Sequence, residues 1–255
     1  MDPTRRFDGL AEIYARARPE YPEAAVDFVV EHCNLEPSSV VADVGCGTGI
    51  STRLFARRGL AVVGIEPNAD MRAKAQFLLG EELADRVHFR DGTAEKTGLS
   101  DLSVDAVLCA QAFHWFEAEA ALSEFHRILK AGGWVVLIWN ERDESDPLMR
   151  GYGDAFRRQT DTSIERMRQA AGQPLLKCAL FDRAERRDFA NSQVVDEIGI
   201  IERAFSASYA PRLNPQVDNL TEALRRLFDL YQVDGVVTLR YLTSVYLARK
   251  PRSIR

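Results

Sequence analysis

The stretch VADVGCGTGIST, residues 41–52, constrains this chain more than any other. A short β-branched run leads into three glycines at alternate positions, so the backbone bends sharply between a strand and a helix and lets something approach it closely. Nucleoside triphosphates and dinucleotides are held at such turns, each with its own spacing. A triphosphate loop ends in Gly-Lys-Ser/Thr, whereas Gly49 is followed by Ile50 and Ser51. A dinucleotide turn spaces its glycines G-x-G-x-x-G so that a helix N-terminus meets a pyrophosphate. Here Gly45, Gly47 and Gly49 read G-x-G-x-G, and Asp43 stands two residues ahead of them. A carboxylate in that place favours a ligand with cationic groups and no phosphate.

From residue 40 to residue 140 short β-branched runs alternate with longer helical patterns, which predicts a parallel sheet with helices on both faces. Strands are expected at residues 40–44, 61–65, 87–90, 106–109 and 134–139. Helices should begin near Thr48, Asn68 and Phe116, with Asn68 as an N-cap and Gly132 or Gly133 ending the third. Residues 141–181 are more polar and read as a helical insertion capping a pocket, with Met149, Tyr152 and Phe156 either supplying an apolar wall or only packing the inserted helices. Residues 184–189 and the alternating run 236–250 read as further strands, and Val217, Leu220, Leu224, Leu227 and Phe228 mark one helix face. The closing Arg249, Lys250, Arg252 and Arg255 read as a solvated tail.

A chain of 255 residues, 46% hydrophobic, can bury a large core as one domain. Its net charge of -5 gives no overall pull toward nucleic acid or anionic lipid, so no nucleic-acid or membrane partner is expected. The first residues contain no apolar run fit for a signal peptide, and no later window approaches a membrane span; a cytoplasmic location is expected. Cys33, Cys46, Cys109 and Cys178 lie far apart with no C-x-x-C pair, which fits reduced thiols better than disulfides or a zinc site.

DVGCGTG, residues 43–49, resembles the first motif of class I S-adenosylmethionine-dependent methyltransferases. The stretches FDGLAEIYARARPEYP, CAQAFHWFEAEAAL and RAFSASYAP narrow this to a small-molecule branch, the type 11 methyltransferases similar to trans-aconitate methyltransferases, and the resemblance spans nearly the whole chain. It implies an α/β fold, a doubly wound, mostly parallel seven-stranded Rossmann-like sheet with an antiparallel last strand and a helical cap. One domain would then comprise an N-terminal helical lid (1–36), a cofactor-binding core (37–140), the cap (141–181) and a C-terminal completion of the sheet (182–255). S-adenosylmethionine is the implied cofactor. Asp43, Gly45, Cys46, Gly47 and Gly49 would hold its methionine part, and Glu66, followed by Pro67, would accept both ribose hydroxyls. Met71 would pack on the adenine face unless it serves only the helix, Asp91 would accept from the adenine amino group, and Gly92, Thr93 and Ala94 would meet the ring edge. Gln111, Ala112, Phe113 and His114 would run along the methionine end, with Tyr14, Arg18 and Tyr21 closing from the lid.

Methyl transfer is an in-line displacement at a carbon already activated by a positive sulfur, so orientation and exclusion of water are the protein's main tasks. His114 is the candidate base if the acceptor must lose a proton; its other role is to orient the cofactor or loop. The position after the fourth strand reads Cys109-Ala110-Gln111-Ala112 rather than Asn or Asp followed by Pro-Pro and an aromatic, which argues against exocyclic amines of DNA and glutamine amides. No carboxylate set of the catechol type is found, and no metal is expected. The reading is a methyltransferase of a small-molecule acceptor, oxygen ahead of carbon or nitrogen, acting as a monomer or homodimer. Its alternatives are an RNA methyltransferase and a binding protein that keeps the cofactor without turnover.

Overall fold

The three β-branched runs before residue 91 are strands β1 (Val40–Val44), β2 (Ala61–Ile65) and β3 (Val87–Arg90) in the computed structural model, which describes residues 9–252. With β4 (Val104–Ala110), β5 (Leu129–Arg142), β6 (Asp182–Val195) and β7 (Val237–Arg249) they form one sheet in the order β3-β2-β1-β4-β5-β7-β6. Strands β1 to β5 are parallel, and β7 enters antiparallel between β5 and β6. Strand order reverses between β1 and β4, and the crevice at the carboxyl ends of those two strands is where open α/β sheets take ligands.

Alternate residues of each strand serve opposite faces. On one face Val41, Val62 and Leu108 pack against Val26 and Val29 of α2 (Glu23–His32) and Leu54 and Phe55 of α3 (Ile50–Ala56). On the other, Ala42, Val44 and Val107 meet Leu122 and Phe125 of α5 (Ala118–Ile128) and Leu175 of α8 (Gln173–Lys177). Because both faces are covered, the central strands read as unbroken apolar runs. Helix α1 (Ala11–Ala17) lies against α4 (Ala69–Phe77), which follows β2.

The insertion folds as α6 (Pro147–Arg157), α7 (Ser163–Ala170) and α8, and α6 joins α9 (Glu197–Phe205) and α10 (Gln216–Tyr231) around a third apolar cluster. Met149, Tyr152 and Phe156 lie inside that cluster with Ile200, Leu220 and Leu224, so of the two readings it is packing of the helices that they serve, not an apolar wall of the cavity. The amphipathic pattern of α6 is satisfied by its helical neighbours.

Two other expectations are corrected. Helix α5 ends at Ile128, four residues before Gly132, because Leu129 already pairs with Val104 of β4. The glycines instead make an irregularity inside β5, where the register with β4 shifts before Ala106 pairs with Trp134. The basic end is not a free tail either. Lys250 Nζ donates to the carbonyls of His126 (2.6 Å) and Leu129 (2.9 Å), completing the end of α5, while Arg249 Nε donates to the Gly132 carbonyl at 3.0 Å. Arg255, and residues 1–8 of the expected lid, lie outside the described residues. No helix among the described residues is long and apolar enough to cross a membrane.

Candidate active site

The glycine turn hangs from the neighbouring strand: Gly45 and Cys46 both donate their backbone N–H to the Ile65 carbonyl, at 2.8 and 3.2 Å. Gly45 has φ +70°, and a Cβ there would sit 2.6 Å from the Ala112 methyl and 3.0 Å from Phe116, so only glycine fits. Gly47, at φ +55°, has the opposite surroundings, since a Cβ there would meet nothing within 4 Å. It borders open cavity. Gly49 is the N-cap of α3, and Cys46 is buried behind the turn with its sulfur toward Gly64. Beneath the turn Asp43 is wholly buried, with Oδ2 accepting from Ser51 Oγ (2.7 Å) and Thr52 Oγ1 (2.6 Å). Its Oδ1 has no hydrogen-bond partner. Burial pushes the Asp43 carboxyl up to about 6, against the pull of the two hydroxyls.

Glu66 leaves the end of β2 with each carboxylate oxygen already held by a backbone N–H, Oε2 by Gly47 (3.0 Å) and Oε1 by Asn68 (2.9 Å). Each oxygen keeps capacity for a second donor. Burial raises its pKa, and these two N–H groups oppose that shift. Asn68 caps α4 as expected, its side chain accepting from the Met71 N–H at 3.0 Å, and this seats the buried Met71 beside Glu66 and Pro67 in the wall of the cavity. Gly92, Thr93 and Ala94 line the same wall. Asp91 does not: Arg72 of α4 draws its carboxylate outward into an exposed ion pair at 3.0 Å.

The far wall comes from the loop after β4. Gln111 stands at φ +59°, an uncommon conformation for a side chain larger than glycine, and its N–H donates to the Ile138 carbonyl at 2.8 Å. Gln111 and Ala112 line the cavity, whereas Phe113 turns into the core against Phe125. The chain makes a 3₁₀ turn at Phe113–Trp115 before α5, later than the helix start expected near Phe116, and this leaves Trp115, Phe116 and Glu117 facing the cavity. Glu117 donates its N–H to Glu95 Oε1 at 3.0 Å, tying this loop to the one after β3. Ala110, Trp115, Phe116, Glu117 and Glu95 are lining residues that sequence reasoning missed. Their signal was adjacency alone, since they flank the stretches that were singled out.

His114 sits in the 3₁₀ turn outside the cavity wall, its Nδ1 accepting from Trp139 Nε1 at 3.5 Å and its ring 4.5 Å from that of Trp115. This contact is long, and it engages the nitrogen lone pair that a base would use. Of the lid residues, Tyr14 reaches the cavity, Arg18 lies behind it with its guanidinium 4.7 Å from the Tyr14 ring, and Tyr21 is buried in the sheet's first apolar cluster. The enclosed space measures about 380 Å³. Among the described residues, no group of three or more His, Cys, Asp or Glu is placed to hold a metal ion.

Residues 42–137, from β1 through most of β5, match the family model of a methyltransferase domain. This span is a methyltransferase domain. An uncharacterized methyltransferase of Mycobacterium tuberculosis is 36% identical over 168 residues, 65% of this chain and 65% of that protein's length. An uncharacterized methyltransferase of Schizosaccharomyces pombe is 27% identical over 239 residues, covering 89% and 92%. The solved structure of a protein assigned as a type II methyltransferase from Anaeromyxobacter dehalogenans shares the fold, with a TM-score of 0.67, 22% identity and coverage of 92% and 97%. These matches carry the methyltransferase domain and not the narrower trans-aconitate branch.

The residues present fit S-adenosylmethionine, the cofactor that the sequence resemblance implies. The open side of Gly47 admits a ligand against bare backbone, and Glu66 has acceptor capacity for a diol, whereas Asp43 is wholly buried beneath the turn and does not line the cavity. Met71, Ala94 and Phe116 offer apolar surface to an aromatic base.

Proposed function

We propose that this chain transfers a methyl group from S-adenosylmethionine to a small-molecule acceptor, with oxygen the favoured nucleophile. The observation that carries the reading is the cavity of about 380 Å³ between the glycine turn and the loop after β4, walled by backbone and apolar side chains and reached from above by Tyr14. S-adenosylmethionine, held against Gly47 and Glu66, would supply a methyl carbon activated by its positive sulfur. The chain's own task is alignment and exclusion of water. Gly45 holds the turn tight against Ala112, Glu66 is clamped in one orientation by two N–H groups, and the strained Gln111 backbone points the far wall inward. In this reading His114, whose Nδ1 accepts from Trp139, steadies this wall rather than taking a proton. A carboxylate acceptor, already ionised near neutral pH, needs no base.

Calorimetry tests the reading. Binding of S-adenosylmethionine or S-adenosylhomocysteine without comparable binding of NAD is expected, followed by transfer of labelled methyl to a member of a small-molecule acceptor panel. Tight NAD binding with no S-adenosylmethionine binding would overturn it, and stoichiometric cofactor binding without transfer to any acceptor would favour a regulatory binding protein.

A further inference from the structure

Beside the cofactor cavity, three arginines from three separate segments converge without acids. Arg18 follows α1; its Nη2 donates to the Ser206 carbonyl at 3.2 Å, and its Nε is buried with no partner. Arg203 of α9 is 7% exposed, an unusual depth for a guanidinium, and donates only Nε, to Tyr241 Oη at 3.1 Å. Arg168 of α7 donates to Tyr209 Oη (3.3 Å), to Gln111 Oε1 (3.2 Å) and to the Asn140 carbonyl (3.2 Å). Among the described residues none of the three has a carboxylate within ion-pair distance. The contrast is local: Arg142 is paired with Glu144 and Glu165, and Arg157 with Glu144 and Asp154.

Tyr152 Oη, from α6, is also buried without a partner. Arg168 donates to Tyr209, and Arg18 donates to the carbonyl of Ser206, the C-cap of the helix that carries Arg203, so the short segment 203–209 draws the three arginines together. Burial tends to raise the Tyr209 phenol, but Arg168, Arg142, Arg18 and Arg203 outweigh it and hold the group at about 8. Like charges drawn together repel, and the buried unpaired Nε of half-buried Arg18 and Oη of Tyr152 are costly; an anion seated among them relieves both. The cluster adjoins the cavity through two shared residues, since Tyr14 stacks under Arg18 and Gln111 accepts from Arg168, and both line the cavity.

We propose that Arg18, Arg168 and Arg203, with the hydroxyls of Tyr152 and Tyr209, form an oxyanion subsite that recognises a carboxylate or phosphate group on the methyl acceptor. The subsite's role in acceptor choice rests on the methyltransferase reading. Guanidinium groups match either anion through paired N–H donors, and their arrival from the lid, the insertion and α9 makes the subsite complete only when all three segments are docked.

The test titrates protein saturated with S-adenosylhomocysteine with acetate, succinate, citrate and inorganic phosphate, and with the uncharged dimethyl succinate, by calorimetry. At least one anion is expected to bind about tenfold or more tightly than dimethyl succinate, weakening as salt is added. A preference for the carboxylates assigns a carboxylate acceptor, and a preference for phosphate assigns a phosphorylated one. Arg168→Gln should weaken that anion about tenfold or more, leave S-adenosylhomocysteine within about threefold, and be partly rescued by Arg168→Lys. The charged-against-neutral comparison on the unmodified protein stands even if a variant fails to fold. Equal affinity for succinate and dimethyl succinate, or no saturable binding of any anion at about 10 mM, overturns the subsite. Failure of S-adenosylhomocysteine to bind would count against the methyltransferase reading alone, because the same anion titration on the free protein still reads the arginines.

Discussion

Gly45 and Gly47 share a left-handed backbone, yet a methyl group on each meets different things, and the two should fail in different ways. Gly45→Ala drives a Cβ into Ala112 and should lower the melting temperature outright. Gly47→Ala adds about 1–2 kcal/mol of backbone strain but no clash in the free protein, so its main loss should be cofactor affinity measured by calorimetry. Glu66→Ala should weaken S-adenosylmethionine by roughly 1.5–3 kcal/mol, the scale of charge-assisted hydrogen bonds, with the fold retained by circular dichroism. Asp43 gives a pH signature. Unfolded, its carboxyl titrates at about 3.9; folded, it titrates at about 6. Between those values the folded chain keeps a proton that the unfolded chain has lost, so this residue's contribution to stability falls as pH rises and is gone above about 6, a change on the order of 3 kcal/mol. Urea unfolding across that window should fall less steeply with pH in Asp43→Asn than in the unmodified chain. For His114→Asn, the hydrogen bond from Trp139 predicts a single-turnover rate reduced less than about tenfold with an unchanged pH profile. A loss of about 10²–10⁴-fold together with a vanished ionisation would make it the base instead.

Among the elements, the cap separates packing from recognition. Met149 and Phe156 lie on the apolar side of α6 against α9 and α10, so truncation of either to Ala should cost about 2–5 kcal/mol of stability by urea unfolding while leaving S-adenosylmethionine affinity nearly unchanged. A large loss of cofactor affinity without destabilisation would contradict this placement. Helix periodicity in the sequence shows that α6 has an apolar face but not what the face touches, because the partners, Ile200, Leu220 and Leu224, come from segments dozens of residues away. The basic end misleads for a related reason. Lys250 reads as solvated in sequence, yet β7 enters beside β5 and delivers its ammonium to two carbonyls at the end of α5. The start of α5 shows the limit of local signals, since Phe116 belongs to the cavity only because a 3₁₀ turn delays the helix to Ala118.

For the whole molecule, an excess of acidic over basic residues, 38 against 33, argues that RNA is not the acceptor. Fluorescence anisotropy should show no RNA binding that weakens linearly in log affinity with log salt; such a dependence would revive that alternative. Cofactor present at about 100 times its dissociation constant should stabilise the fold by about 2.7 kcal/mol, read as an upward shift in melting temperature. What the sequence determined by itself was whatever depends on neighbours along the chain. The turn DVGCGTG specifies a bend that only glycine can make, Asn68 caps its own helix, and the apolar runs declare strands buried on both faces. These are local constraints, legible because sterics and hydrogen bonding act within a few residues. Tertiary structure alone decided that Asp91 turns outward to Arg72, that Tyr21 belongs to the core, and that Arg18 and Arg168 reach Ser206 and Tyr209, on the segment that begins with Arg203. In each case a charge or ring responds to a partner brought in from a remote segment, and spacing along one chain carries no record of that distance in space.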